Sequence, residues 1–172
     1  KHIVERYMET IAPLGIKPDK QGLDYFIPDK DVVESEWLPK THQKEFVAVA
    51  VGAGHATKQL PFERLIELCD RINKPIILLG DKQDAIIGER INSFFARKED
   101  DPFEEGLTKL NKKTIIFNAC GKLNLNQSAS VIKKASHVFT HDSGLMHIAA
   151  ALRKNVFTIW GNTIPGFGMY PY

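Results

Sequence analysis

His137-Val138-Phe139-Thr140-His141-Asp142-Ser143-Gly144-Leu145-Met146-His147-Ile148-Ala149-Ala150-Ala151-Leu152 holds one structural transition. His137–Thr140 is a short β-rich run. From about Ser143 the apolar positions change spacing: Leu145, Ile148, Ala149 and Leu152 fall at i, i+3, i+4 and i+7, which is one face of a helix. Asp142 or Ser143 can cap that helix, and Gly144 keeps its mouth free of a side chain. The unpaired N–H groups of a first helical turn favour an anion. His147 lies four residues after Ser143 on the same face, within reach of a phosphate oxygen or a sugar hydroxyl.

The same strand–turn–helix unit recurs along the chain. Four more β-rich runs are Phe46–Val51, Ile76–Leu79, Thr114–Phe117 and Val156–Trp160. Most are continuously apolar rather than alternating, as suits strands covered on both faces of a parallel sheet. Between them, Phe62, Leu65, Ile66, Cys69 and Ile72 form one helical stripe, and Ile87, Ile91, Phe94 and Phe95 another. A further helix is expected over Gln127–Ala135, with Asn126 as its cap. Alternation at this spacing predicts βαβ units with right-handed crossovers, hence an α/β fold with a Rossmann-like doubly wound parallel sheet. Such sheets bind ligands at the carboxyl ends of their strands.

The remaining chain sets bounds on class. It has 172 residues, 43% hydrophobic and 26% charged, with 23 Lys+Arg against 21 Asp+Glu for a formal charge of +2. That is ordinary globular composition, without the basic excess that would attract nucleic acid or an anionic membrane. Its two cysteines, Cys69 and Cys120, form no C-x-x-C pair, which argues against a zinc ribbon and suits a reducing compartment. No apolar run approaches a membrane span. Residues 1–40 read as a connector into the domain formed by residues 41–172: His2–Ile11 is amphipathic, Pro18–Tyr25 is turn-rich, and Val32–Leu38 suggests a short helix closed by Pro39. Arg97–Glu105 reads as a charged loop. The chain opens on Lys1 rather than Met and ends at Tyr172 after no closing helix, so a piece of a longer protein is expected.

Three more segments could carry chemistry. Gly52-Ala53-Gly54-His55-Ala56-Thr57-Lys58, after the first strand, lets backbone approach a ligand and adds a cation. It is neither a Walker A loop nor G-x-G-x-x-G, and a plain glycine turn beside a surface lysine explains it equally well. Gly80-Asp81-Lys82-Gln83-Asp84 places Asp81 or Asp84 where a ribose or sugar could be held, although helix capping is the simpler account. Gly161-Asn162-Thr163-Ile164-Pro165 follows the last strand and could line the same crevice or be a turn. A metal site at His137, His141 and His147 is disfavoured, since residues four apart on a strand are separated by about 13 Å. A Ser143–His147–Asp142 hydrolase triad lacks the G-x-S-x-G elbow. An NAD-dependent oxidoreductase would need a third glycine where Thr57 stands.

The ordered set of motifs resembles the ADP-heptose:lipopolysaccharide heptosyltransferases, glycosyltransferase family 9. The resemblance rests on Lys58 with Pro61 and Phe62, Gly80 with Asp84, Gly121-Lys122-Leu123 leading to Ser128-Ala129, Asp142 to Leu152, and Gly161 to Pro165. It implies a GT-B fold, with this chain as the C-terminal donor-binding domain. It further implies an inverting transfer of a sugar, heptose foremost, from a nucleotide diphosphate such as ADP-heptose to a lipopolysaccharide core acceptor. Lys58, Asp142, Ser143, Gly144, Leu145 and His147 carry over as donor-binding residues. Asp84, where the family often has Glu, carries over near the nucleoside. The general base is expected in an N-terminal domain, no metal or other cofactor is expected, and the implied setting is cytoplasmic, at the inner face of the inner membrane with at most peripheral contact. The alternative is a non-catalytic nucleotide-binding module.

Overall fold

A computed structural model describes residues 1–96 and 113–172. The expected loop Arg97–Glu105 lies outside the described residues. Five strands, β1 (Val47–Ala50), β2 (Pro75–Leu79), β3 (Ile115–Asn118), β4 (His137–His141) and β5 (Val156–Ile159), form one sheet. All neighbours are parallel, in the order β3-β2-β1-β4-β5. Helices α2 (Phe62–Ile72), α3 (Ala85–Phe95), α4 (Leu125–Lys134) and α5 (Gly144–Ala151) connect them, and α1 (Ile3–Ile11) precedes the sheet. The expected doubly wound architecture is present. The chain steps outward from β1 to β3, then returns to β4 on the other side, so the topological switch lies between β1 and β4.

Strand pleating divides the core. Val47 and Val49 of β1, with Ile76 and Leu78 of β2, face Leu65, Ile66 and Cys69 of α2 and Ile91 and Phe94 of α3. Ala48, Ile77, Leu79 and Val138 face Val131 and Ile132 of α4 and Ala149 of α5. Every residue of β1 is buried, which is why its sequence is an unbroken apolar run. Both cysteines are free and buried, and burial foremost pushes each thiol up to about 12.

Two local expectations are corrected. Val32–Leu38 is not a helix: 3₁₀ turns at Asp29–Asp31 and Ser35–Trp37 flank extended backbone. The segment lies against the α4 side of the sheet, where Val33 and Leu38 enter the core and the Val33 N–H donates to Ser130 Oγ at 2.9 Å. Helix α4 starts at Leu125, and its cap is Asn124 rather than Asn126. Asn124 Oδ1 accepts from the Gln127 N–H (2.8 Å) while Gln127 Oε1 accepts from the Asn124 N–H (2.9 Å), a reciprocal capping box. Asn126 is spent elsewhere: Tyr25 Oη donates to its Oδ1 and its amide donates to Asp31.

Two histidines close the ends of the framework. His42 is buried, with Nε2 between the carbonyls of Ile76 (3.1 Å) and Ile115 (3.2 Å), tying β2 to β3. His2 is also buried, accepts from the Val4 N–H through Nδ1, and donates from Nε2 to the Tyr170 carbonyl at 2.7 Å. With the Ile3 N–H on the Gly168 carbonyl (2.7 Å), it fastens α1 to residues 168–172.

Candidate functional site

A cleft of about 520 Å³ opens at the carboxyl ends of β1, β2 and β4, across the switch point. One wall is Gly52-Ala53-Gly54 with Gln59, a second is Gly80, Asp81, Gln83 and Asp84, a third is Leu123, Asn124, Leu125 and Ser128, and the α5 start contributes Ser143, Gly144 and Leu145. Of the sequence candidates, Asp84, Ser143, Gly144 and Leu145 therefore face the cleft. Lys58, Asp142 and His147 do not line that cleft and form a second group: Lys58 is paired with Asp142, the residue before Ser143, and His147 lies close enough to feel the Asp142 charge.

The mouth of α5 is open. Ser143 occupies the cap position with extended backbone but makes no side-chain cap, because its hydroxyl lies 3.1 Å from Thr140 Oγ1. Asp142 does not cap either. Among the described residues the N–H groups of Gly144 and Leu145 meet no hydrogen-bond acceptor, and a Cβ at Gly144 would meet nothing. The structure thus decides between the two expected caps in favour of Ser143 by position, while leaving first-turn donors free toward the cleft.

Asp142 is 8% exposed and accepts from Lys58 Nζ at 2.7 Å and from Thr163 Oγ1 at 2.8 Å, both on Oδ2. Burial alone would raise its pKa. The Lys58 and Thr163 hydrogen bonds, together with the positive charge of Lys58, outweigh burial and hold the carboxyl below its ordinary range. Thr163 belongs to the segment after β5 that the sequence left undecided between crevice and turn. His147 sits nearby, half-buried. Burial foremost lowers its pKa, partly offset by the negative charge of Asp142, so its ring is held toward the neutral form.

Asp84 begins α3 without capping it. Its Oδ2 accepts from the Asp81 N–H (2.9 Å), while Asp81 Oδ1 takes the N–H groups of Gln83 and Asp84. Asp81 thus closes the turn before α3, and Asp84 lines the cleft. It fits only because positions 52 and 80 lack side chains: a Cβ on either glycine would overlap the Asp84 side chain. Burial raises its pKa above the usual carboxylate value. An acceptor held this way suits vicinal hydroxyls that donate two hydrogen bonds.

Sequence reasoning missed the role of Asn124 and the buried Asp31 behind it. Asp31 Oδ1 and Oδ2 accept from the side-chain amides of Asn124 and Asn126, each at 2.9 Å, bracing the α4 wall. The N-x-x-Q spacing of Asn124 and Gln127 was the available signal for the cap. Asp31, so distant in sequence, offered none. Among the described residues, no group of three or more His, Cys, Asp or Glu could hold a metal ion, and no helix is long and apolar enough to cross a membrane.

An open α/β sheet with a glycine-walled cleft and a donor-rich helix mouth at its switch point defines a Rossmann-like domain of the nucleotide-binding class. The chain belongs to glycosyltransferase family 9 (heptosyltransferase), whose model matches residues 1–172. It is 32% identical over 179 residues to lipopolysaccharide heptosyltransferase 2 of Escherichia coli, covering 96% of this chain and 47% of that protein. It is also 32% identical over 136 residues to lipooligosaccharide heptosyltransferase 2 of Haemophilus ducreyi, covering 76% of this chain and 35% of the relative. The chain thus spans about half or less of the curated relatives it matches. An E. coli heptosyltransferase solved with ADP-2-deoxy-2-fluoro heptose superposes with a TM-score of 0.64 at 27% identity, over 96% of this chain and 47% of that one. A family 9 glycosyl transferase from Veillonella parvula superposes at 0.77 over the whole chain and 47% of its own, with 19% identity. The fold is that of the Rossmann-like half of a GT-B enzyme.

Proposed function

We propose that the chain is the donor-binding domain of an inverting heptosyltransferase, with ADP-heptose as donor and a lipopolysaccharide core sugar as acceptor. The observation that carries this reading is the open α5 mouth: among the described residues the Gly144 and Leu145 N–H groups meet no acceptor, and Lys58 is bound to Asp142, the residue before the Ser143 cap. Residues 41–172 form the nucleotide-sugar domain in this reading, and residues 1–40 join it to the domain that carries the acceptor and the general base. The transfer takes place on the cytoplasmic side of the inner membrane.

Each residue then has a task. Gly144 and Leu145 donate backbone N–H groups to the diphosphate, and Lys58 supplies positive charge. Asp142 and Thr163 hold Lys58 in place, and His147 donates to a phosphate or sugar oxygen. Asp84 accepts from the ribose hydroxyls, and Leu123 and Leu125 form the apolar wall for the base. As the glycosidic bond breaks, negative charge gathers on the leaving diphosphate, where preorganised donors act most strongly. Losing one such donor typically costs roughly 3–4 kcal/mol of barrier. Lys58 and the N–H groups would meet this charge without a metal ion.

Calorimetric titration of the protein with ADP, UDP and NAD tests the reading. ADP should bind more tightly than UDP, and NAD least. In the full-length enzyme Lys58→Ala and His147→Ala should each lower turnover at least tenfold while the protein stays folded. Tighter binding of NAD than of ADP, or near-normal turnover in both variants, would remove these residues from a donor site.

A further inference from the structure

The loop from Gly52 to Pro61 carries both a cleft wall and Lys58, and its position is fixed from two sides. After β5, the Asn162 N–H donates to the Thr57 carbonyl at 3.2 Å, and Gly161 lies so close that a Cβ there would overlap the same carbonyl oxygen. From β4, the Leu60 N–H donates to Nε2 of His141 at 3.0 Å. His141 is 1% exposed. Because Nε2 accepts, the ring proton sits on Nδ1. That buried Nδ1 has no hydrogen-bond partner among the described residues, although the backbone of Ala50 and Gly52 lies near the ring. The imidazole therefore packs beside the end of β1, and among the described residues its side-chain hydrogen bond is to the Lys58 loop.

We propose that His141 is a positioning residue for Lys58, resting on the donor-site reading above. Leu60 is two residues beyond Lys58, and Asp142 directly follows His141. The single Leu60–His141 bond thus sets the backbone that carries the ammonium against the backbone that carries its carboxylate partner. The Lys58–Asp142 contact of 2.7 Å depends on that register. A side chain of similar bulk without an acceptor would leave the Leu60 N–H unpaired. That part-buried N–H would then turn toward water or another acceptor, and the loop carrying Lys58 would shift with it. Of the other side chains that fill such a space, glutamine keeps an acceptor at a similar reach.

The test has two readouts, both on the full-length protein. The first needs no ligand: amide hydrogen exchange at Leu60 should be slow in the wild type, faster in His141→Leu, and slow again in His141→Gln. The second is the affinity for ADP. His141→Leu should weaken it by about tenfold, as expected for one well-placed hydrogen bond, and His141→Gln should restore most of it. In a Lys58→Ala background the leucine substitution should change ADP affinity less than twofold, because the residue acts through the lysine. His141→Phe gives the same comparisons should leucine prevent folding. Unchanged Leu60 exchange in the leucine variant overturns the proposal, and so does an equal tenfold loss in the Lys58→Ala background. A wild-type protein that shows slow Leu60 exchange but binds no ADP overturns the donor-site reading instead.

Discussion

Replacing Lys58 by methionine removes the ammonium while keeping most of the side chain's bulk. Its partner Asp142 is 8% exposed, and Lys58 itself has 23% of its side chain accessible, so the pair is neither a surface bridge nor a sealed one. Exposed pairs contribute about 0–1 kcal/mol, and breaking a buried pair costs about 3–5 kcal/mol. Thr163 still donates to Asp142 in the variant, which compensates part of the lost hydrogen bonding. We therefore expect a loss of about 2 kcal/mol, between the two limits. With a urea m-value of about 2 kcal/mol/M for a chain of this size, the midpoint should fall by about 1 M. Adding Asp142→Asn should recover more than half of that loss, since no buried charge is then left unpaired. ADP binding should not return with it. The difference between wild type and Lys58→Met should persist at neutral pH and fade in acid. The folded Asp142 pKa is depressed, so the pair's contribution is full above the unfolded value of about 3.9 and is lost as pH falls through the folded value. Equal urea midpoints for wild type and Lys58→Met at pH 7 would show that the Lys58–Asp142 contact contributes nothing, and the reasoning would fail.

Further expectations follow from other parts of the structure. The pKa values of His42, His141 and His147 are all lowered, burial being the foremost cause. The unfolded chain then binds more protons below about pH 6.5, so stability should fall as pH drops from there through the folded values, checked by urea midpoints across pH 7 to 5. Asn124→Ala should cost about 1 kcal/mol through loss of the α4 cap, measured by chemical denaturation. Gly52→Ala should destabilise by about 1–3 kcal/mol and weaken ADP binding, because the new methyl group displaces Asp84; calorimetry and denaturation read both effects. Ser143→Ala should leave stability within about 1 kcal/mol, as its hydroxyl does not cap α5.

The framework was legible because burial on both faces writes a strand as an apolar run. Val47, Ala48 and Val49 need no polar alternation when α2 and α4 cover opposite sides. Helices α2, α3 and α5 were legible from their stripes. Two errors share a cause. Asn124 and Asn126 are both good caps; Gln127 completes a capping box with the first, and Tyr25, about a hundred residues away in sequence, occupies the Oδ1 of the second. Val32–Leu38 looked helical until Val33 and Leu38 were drawn into the core by extended backbone. At the site, the helix mouth could be read locally, since strand, turn and stripe adjoin at Ser143. The Lys58–Asp142–Thr163 cluster could not, because it joins three loops brought together only by the strand order. His141 carried no assigned role once its spacing to His137 had disfavoured a metal site, and its contact with Leu60 exists only in the folded sheet.

A crystal structure of the full-length protein with bound ADP tests the central claim most directly. The expected result is a diphosphate at the mouth of α5, within hydrogen-bond reach of the Gly144 and Leu145 N–H groups and of the Lys58 ammonium, with the ribose toward Asp84. A diphosphate seated away from that mouth, with Lys58 still bound only to Asp142, would contradict it.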